Sequence, residues 1–163
     1  MPAEAALSTE TSLLLRRDED GIACLTLNRP KQYNALSAAL MGDLQAALRD
    51  IAEDPTVRAV IIEGAGRGFC AGHDLKELRA HSGDRAFYQG IFQQCSRLMT
   101  SIVNLPQPVI AKVHGIATAA GCQLVATCDL AVAEVDSRFG TPGVNIGLFC
   151  STPMVALSRA VPR

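Results

Sequence analysis

A chain of 163 residues with 48% hydrophobic and 19% charged side chains is long enough for a real core and too apolar to stay disordered. A formal charge of −1 supplies no basic face for nucleic acid, and 4% aromatic residues without tryptophan supply no platform for stacked bases. No apolar run nears the roughly 20 residues of a membrane-spanning helix, so neither nucleic acid nor membrane is expected as a partner.

Residues 1–12 are small, polar and acidic, without the basic and apolar regions of a signal peptide. They read as a flexible tail, and 13–163 as one domain. Residues 13–17 and 22–27 alternate apolar and polar around an Asp-Glu-Asp-Gly turn, which predicts a β-hairpin. Pro30 ends the second strand. Ser37 then caps a helix that runs through Glu53, with Leu40, Leu44, Leu48 and Ile51 at helical spacing, until Asp54-Pro55 stops it. The nearly unbroken Val/Ile run over 57–63 predicts a buried parallel strand. A glycine-rich loop follows over 64–72, then a short helix over 74–80. Ser82-Gly83 breaks that helix before a longer amphipathic one over 84–103, with Phe87, Ile91, Cys95, Leu98 and Ile102 on one face. Pro106 and Pro108 reset the chain to a strand at 109–113. A helix over 119–127, a strand at 130–133, a short strand at 137–139 and a helix from 151 to 159 complete the order. Strand-helix alternation predicts an α/β fold with parallel strands and right-handed crossovers.

The six cysteines form no CxxC pair and no Cys/His cluster, so no metal site is expected. They read as buried free thiols of a reducing compartment, and the expected location is cytoplasmic.

Two Gly/Ala-rich loops carry the functional signal. One reads GFCAGHDLKEL from Gly68, the other HGIATAAGCQLVA from His114. Each follows a strand and opens a helix, where backbone N–H groups lack intrahelical partners and the helix dipole favours negative charge. Two such turns side by side can hold one oxyanion between two amides.

With the flanking blocks NRPKQYNALS from Asn28, PVIAKV from Pro108 and SRFGTPGVNIGL from Ser137, these loops resemble the crotonase superfamily, the enoyl-CoA hydratase/isomerase fold. The motifs stand in the family's order from about residue 13 to the end of the chain. The resemblance implies a ββα-spiral core, a C-terminal helical trimerisation region that is largely missing here, and a homo-oligomer, in the family a trimer or dimer of trimers. It implies a lyase or isomerase acting on CoA thioesters in fatty acid metabolism, with coenzyme A arriving as part of the substrate and no permanently bound cofactor. The oxyanion donors by that motif are the backbone N–H groups of His73 and Ala120. The coenzyme A side is implied at Lys31, Gln32, Tyr33 and Ala35, and at Ala71, His73, Asp74, Leu75, Lys76 and Ala120. The His73 side chain is expected to point away from the acyl group, His114 to be structural and His81 solvated.

The two glutamates by which family hydratases manage water and the α-proton fall at Gln123 and Gly143. A carboxamide is no useful base and glycine has no side chain, so the acid/base pair of hydration is absent and isomerisation loses its glutamate as well. Thr141, Asn145, Cys150 and Ser151 are the remaining polar candidates near the expected acyl pocket. Two functions stay open: an acyl-CoA enzyme with another reaction, or an acyl-CoA-binding module without turnover. A third is dinucleotide binding, since residues 66–71 match G-x-G-x-x-A after a strand.

Overall fold

The computed structural model describes residues 12–161. The tail expected over 1–12 lies outside the described residues except for Ser12, whose carbonyl accepts from Asn28 Nδ2 at 2.9 Å and whose hydroxyl donates to the Leu14 carbonyl at 2.6 Å.

Strands β1 (Leu14–Glu19) and β2 (Ile22–Leu27) form the hairpin. The strands pair as far as Glu19 and Ile22, so the turn is Asp20-Gly21, both at positive φ (51° and 79°). Aspartate and glycine tolerate that left-handed geometry, and the turn's twist matches that of the strands it joins. Helix α1 (Ala38–Glu53) starts where predicted: the Ser37 side chain accepts from the Leu40 N–H at 3.2 Å. Strand β3 (Ala59–Gly64) lies parallel to β2. Helix α2 (Leu75–Ala80) is capped by Asp74, and α3 (Arg85–Val103) by Asp84. Strand β4 (Val109–Val113) adds parallel to β3. Then come β5 (Ile116–Thr118), α4 (Ala120–Thr127), β6 (Leu130–Ala133), β7 (Arg138–Gly140) and α5 (Ser151–Ala160).

The main sheet runs β1-β2-β3-β4-β6, and β5 pairs with β7 in a small second sheet. Leu25, Leu27, Val60, Ile62, Val109 and Ala111 point to the face covered by α1 and α3, and that layer is the core. The run in β3 therefore departs from the expected fully buried strand. Val60 and Ile62 are sealed, but Ile61 and Ala59 are only half-buried, because helices cover one face. On the other face Glu63 accepts from Thr26 Oγ1 at 3.0 Å and from Lys112 Nζ at 2.8 Å. Strand β5 and two 3-10 turns, Pro30–Gln32 and Pro142–Ile146, had no counterpart in the sequence reading. No helix among the described residues is long and apolar enough to cross a membrane.

Candidate functional site

The site grows from the junction of three segments. The first is the 3-10 turn after β2. Tyr33 and Asn34 both adopt positive φ (49° and 54°), which swings the Asn34 side chain under the glycine-rich loop. Asn34 is fully buried. Its Oδ1 accepts from the Arg29 N–H at 2.9 Å, and its Nδ2 donates to the carbonyls of Ala65 and Gly68 at 2.8 Å and of Phe69 at 3.1 Å. One carboxamide thus organises the glycine-rich loop. The signal was its place in a loop between apolar runs, which reads equally well as solvent-facing.

The second segment is that loop. The Leu36 N–H donates to Gly72 at 2.7 Å, and the Asp74 N–H donates to Leu36 at 3.1 Å. Asp74 caps α2 through the N–H groups of Lys76 and Glu77 and pairs with Arg29 at 2.7 Å. Burial raises the Asp74 carboxyl, but the Arg29 guanidinium and the two cap amides outweigh it, so its pKa falls below the ordinary value of 3.8. A carboxylate depressed on folding contributes stability above its unfolded pKa, and that contribution disappears as pH falls toward the folded value. Unfolding titrations between pH 6 and 2 should show this acid loss in the natural protein and a smaller slope in Asp74→Asn. Arg29→Ala should cost about 2 kcal/mol at pH 7, because it strands a mostly buried carboxylate that keeps only its cap amides.

The third segment is the turn from β5 into α4. Ala119 sits at φ 50°, ψ −121°, a conformation that favours glycine, and its N–H donates to Gly140 at 2.8 Å. Backbone strain held by surrounding hydrogen bonds points to a functional constraint on this turn. Ala120 is the first residue of α4, so no carbonyl within the helix accepts its N–H.

The two turns are in direct contact. The Cys70 N–H donates to Ile116 at 3.1 Å, the Thr118 N–H to Cys70 at 3.0 Å, and the Thr118 hydroxyl to Ala71 at 3.1 Å. A Cβ at Gly72 would lie 3.1 Å from the Ala120 nitrogen. Gly72 adjoins His73, so the amides of His73 and Ala120 belong to one small patch, and neither donates to any group among the described residues.

The remaining named residues divide clearly. Lys31 and Gln32 are exposed on the first 3-10 turn, and Leu75 and Lys76 are exposed on the first turn of α2. The Tyr33 carbonyl accepts from Ala71 at 2.9 Å, and its ring lies 5.4 Å from the Arg67 guanidinium carbon. These segments form one rim. Ala35 is buried, with its N–H bonded to Gln32 and its carbonyl to Arg29, so its backbone is used by the fold. The His73 ring packs edge-on against Phe92 at 5.2 Å, and burial pulls its pKa below the ordinary value, which keeps it neutral at pH 7. His114 Nε2 bonds the Gly66 carbonyl at 2.9 Å, while His81 stacks on Phe87 at 3.7 Å, still exposed to solvent. The dinucleotide reading fails here. The Phe69 N–H is spent on His114 and that of Cys70 on Ile116, and the next helix starts only at Leu75.

Gln123 is 7% exposed, and its Oε1 accepts from the Thr152 hydroxyl at 3.0 Å. Thr152 was not among the sequence candidates. Gly143 is buried, and a Cβ there would lie 2.5 Å from the Leu148 carbonyl oxygen and 2.7 Å from Cys150 Sγ. A glutamate at position 143 has no room unless that turn moves. Cys150 is buried, while Asn145 and Ser151 are exposed. All six cysteines are free. Burial pushes the Cys70 thiol up to about 12, which leaves it an inert core group. A groove of about 420 Å³ between α1 and α3, lined in part by Gln45, Arg49, Arg97 and Ser101, contains none of the site candidates named from sequence.

Residues 17–163 match the family model described as Enoyl-CoA hydratase/isomerase. Enoyl-CoA hydratase domain-containing protein 3, mitochondrial, of Xenopus laevis is 54% identical over 153 residues, which cover 94% of this chain and 52% of that protein. An enoyl-CoA hydratase crystal structure from Mycobacterium smegmatis superposes with a TM-score of 0.89 at 59% identity, covering 93% of this chain and 59% of that one. The structure of human enoyl Coenzyme A hydratase domain-containing protein 3 gives 0.88 at 51% identity, covering 93% and 60%. The chain spans about half the length of the curated relatives it matches. The cytoplasmic expectation is overturned, because the vertebrate relatives at 49–54% identity are all named mitochondrial. Free thiols report a reducing environment, which more than one compartment provides.

Proposed function

The chain belongs to the enoyl-CoA hydratase/isomerase family, and from that premise we propose that it binds an acyl-CoA thioester and polarises its carbonyl without hydrating it. The observation that carries this is the contact between the two turns, which brings the unpartnered N–H groups of His73 and Ala120 into one patch. Donors held by the fold at the point where negative charge develops stabilise an enolate without reorganising. The exposed residues of the first 3-10 turn and of the start of α2 supply the rim for coenzyme A, with Lys31, Lys76 and Arg67 as cations for its phosphates. The substrate brings its own coenzyme A, and the reading needs no resident cofactor.

Hydration is outside this reading, because Gln123 and Gly143 replace the two carboxylates and Asp74 is committed to Arg29 and its cap. The same replacements favour a second reading, an acyl-CoA-binding module without turnover. A homo-oligomer belongs to both, since Leu130, Val132, Val144 and Ile146 are 63–70% exposed and offer apolar surface for a neighbouring subunit.

The test is the absorption band of a conjugated aryl-enoyl-CoA mixed with excess protein. Hydrogen bonds to the thioester oxygen should move the band to longer wavelength, while crotonyl-CoA loses absorbance no faster than in buffer. Binding with an unshifted band would remove the two amides from the carbonyl. Crotonyl-CoA loss well above buffer would show that water is activated by groups other than a glutamate pair. Turnover of any thioester in a wider panel separates the enzyme from the module.

A further inference from the structure

Gln123 is a buried polar side chain on the helix that Ala120 opens, and a second residue holds it. The two residues are three apart on α4, and such positions share a helix face. Gln123 therefore stands about 4.5 Å further along the helix axis than the Ala120 amide. If the thioester oxygen rests at that amide, this is where the next carbons of the acyl chain run. A carboxamide has one acceptor oxygen and one NH2 donor. Here the Thr152 hydroxyl, on the neighbouring helix α5, donates to Oε1 at 3.0 Å and engages one of the oxygen's two lone pairs. The Nε2 donor makes no hydrogen bond among the described residues, nor is it one of the fully enclosed polar atoms that lack a partner. The pair keeps both N–H donors of Nε2 unpaired against one remaining lone pair on Oε1, so what it offers is chiefly a donor.

We propose that Gln123, positioned by Thr152, selects acyl thioesters that carry an acceptor oxygen at the β-carbon over plain alkyl thioesters. Thr152 acts through Gln123 and is a positioning residue. A β-oxo, β-hydroxy or β-carboxylate oxygen satisfies the Nε2 donor, whereas an alkyl chain dries it without replacing its water. Leaving a buried donor unpaired against an alkyl chain corresponds to about a tenfold difference in affinity. The proposal rests on the reading above, that the acyl chain enters between the two turns.

The experiment is calorimetric titration of the natural protein, Gln123→Met, Thr152→Val and Thr152→Ser with butyryl-CoA and with acetoacetyl-CoA, which have the same chain length. The natural protein should bind acetoacetyl-CoA about tenfold more tightly. Gln123→Met should equalise the two ligands. Thr152→Val should shrink the preference to about threefold, and Thr152→Ser, which keeps the hydroxyl, should restore it. Equal affinities in the natural protein overturn the proposal whatever the variants do. A preference that survives in Gln123→Met assigns it to another group and overturns the role of Gln123. A preference intact in Thr152→Val overturns the role of Thr152. Butyryl-CoA binding of the natural protein reports the parent reading separately: if neither thioester binds, that reading falls and the selection falls with it.

Discussion

Asn34→Ala should lower the unfolding free energy by about 3–5 kcal/mol, seen as a shifted urea midpoint at unchanged slope. The side chain is fully buried and satisfies one amide and three carbonyls of the glycine-rich loop. Truncation leaves those groups without partners, in a place water reaches only if the loop opens. Alanine also tolerates φ 54° less well than asparagine. Asn34→Asp separates these contributions. It keeps the shape, the acceptor and the tolerance of positive φ, but turns an oxygen toward three carbonyl oxygens. At pH 7 it should be at least as damaging as alanine. Its carboxyl is favoured protonated in the folded state, so its pKa rises on folding. The sign is then opposite to that of Asp74: the Asn34→Asp protein should gain relative stability as pH falls through that raised value, while the alanine variant does not. Equal pH profiles for the two variants would remove the three carbonyls from the account.

Gly121→Val should be the most damaging single substitution along α4, with a loss of about 3 kcal/mol or more and a melting temperature lower by roughly 10 °C. A Cβ at this position would collide with the carbonyl oxygen of Cys70 and lie 2.7 Å from its carbonyl carbon. Both are backbone atoms of the opposite turn, held by the Thr118 and Ile116 hydrogen bonds, so no side chain can rotate away. The only relief is to separate the turns, which would also spread the His73 and Ala120 amides. Gly121→Ala should therefore weaken acyl-CoA binding as well as stability. Gly90→Ala is the control: it lies on α3, a Cβ there meets nothing within 4 Å, and helix propensity predicts a gain of a few tenths of a kcal/mol or more. A stable Gly121→Ala protein with full thioester affinity would show that the close approach of the turns is unimportant for the site.

The comparison between pattern and structure follows range of interaction. The helix expected over 84–103 was readable because its apolar face of Ile91, Cys95, Leu98 and Ile102 repeats within a few residues, and the structure differs only in making Asp84 the cap of a helix that starts at Arg85. Strand β4 was readable because two prolines and an apolar run delimit it. Strand β5 was not: three residues between Gly115 and Ala119 carry no period, and they are a strand only because Arg138, Phe139 and Gly140 lie beside them. The oxyanion candidates were named from the ordered motifs, yet nothing local indicated that a Cβ at Gly72 would lie 3.1 Å from the Ala120 nitrogen.

By itself the sequence determined the order of strands and helices apart from β5, both small-residue turns and the family, since periodicity, caps and ordered motifs are properties of short segments. Only the tertiary structure decided that the turns touch, that Asn34 holds one of them, that Ala35 and Gly143 are closed off, and that Thr152 directs Gln123. Most of those facts join residues far apart in the chain, 29 positions for Gln123 and Thr152 and 34 for Asn34 and Gly68, and no local pattern encodes which distant partner a buried polar group will find.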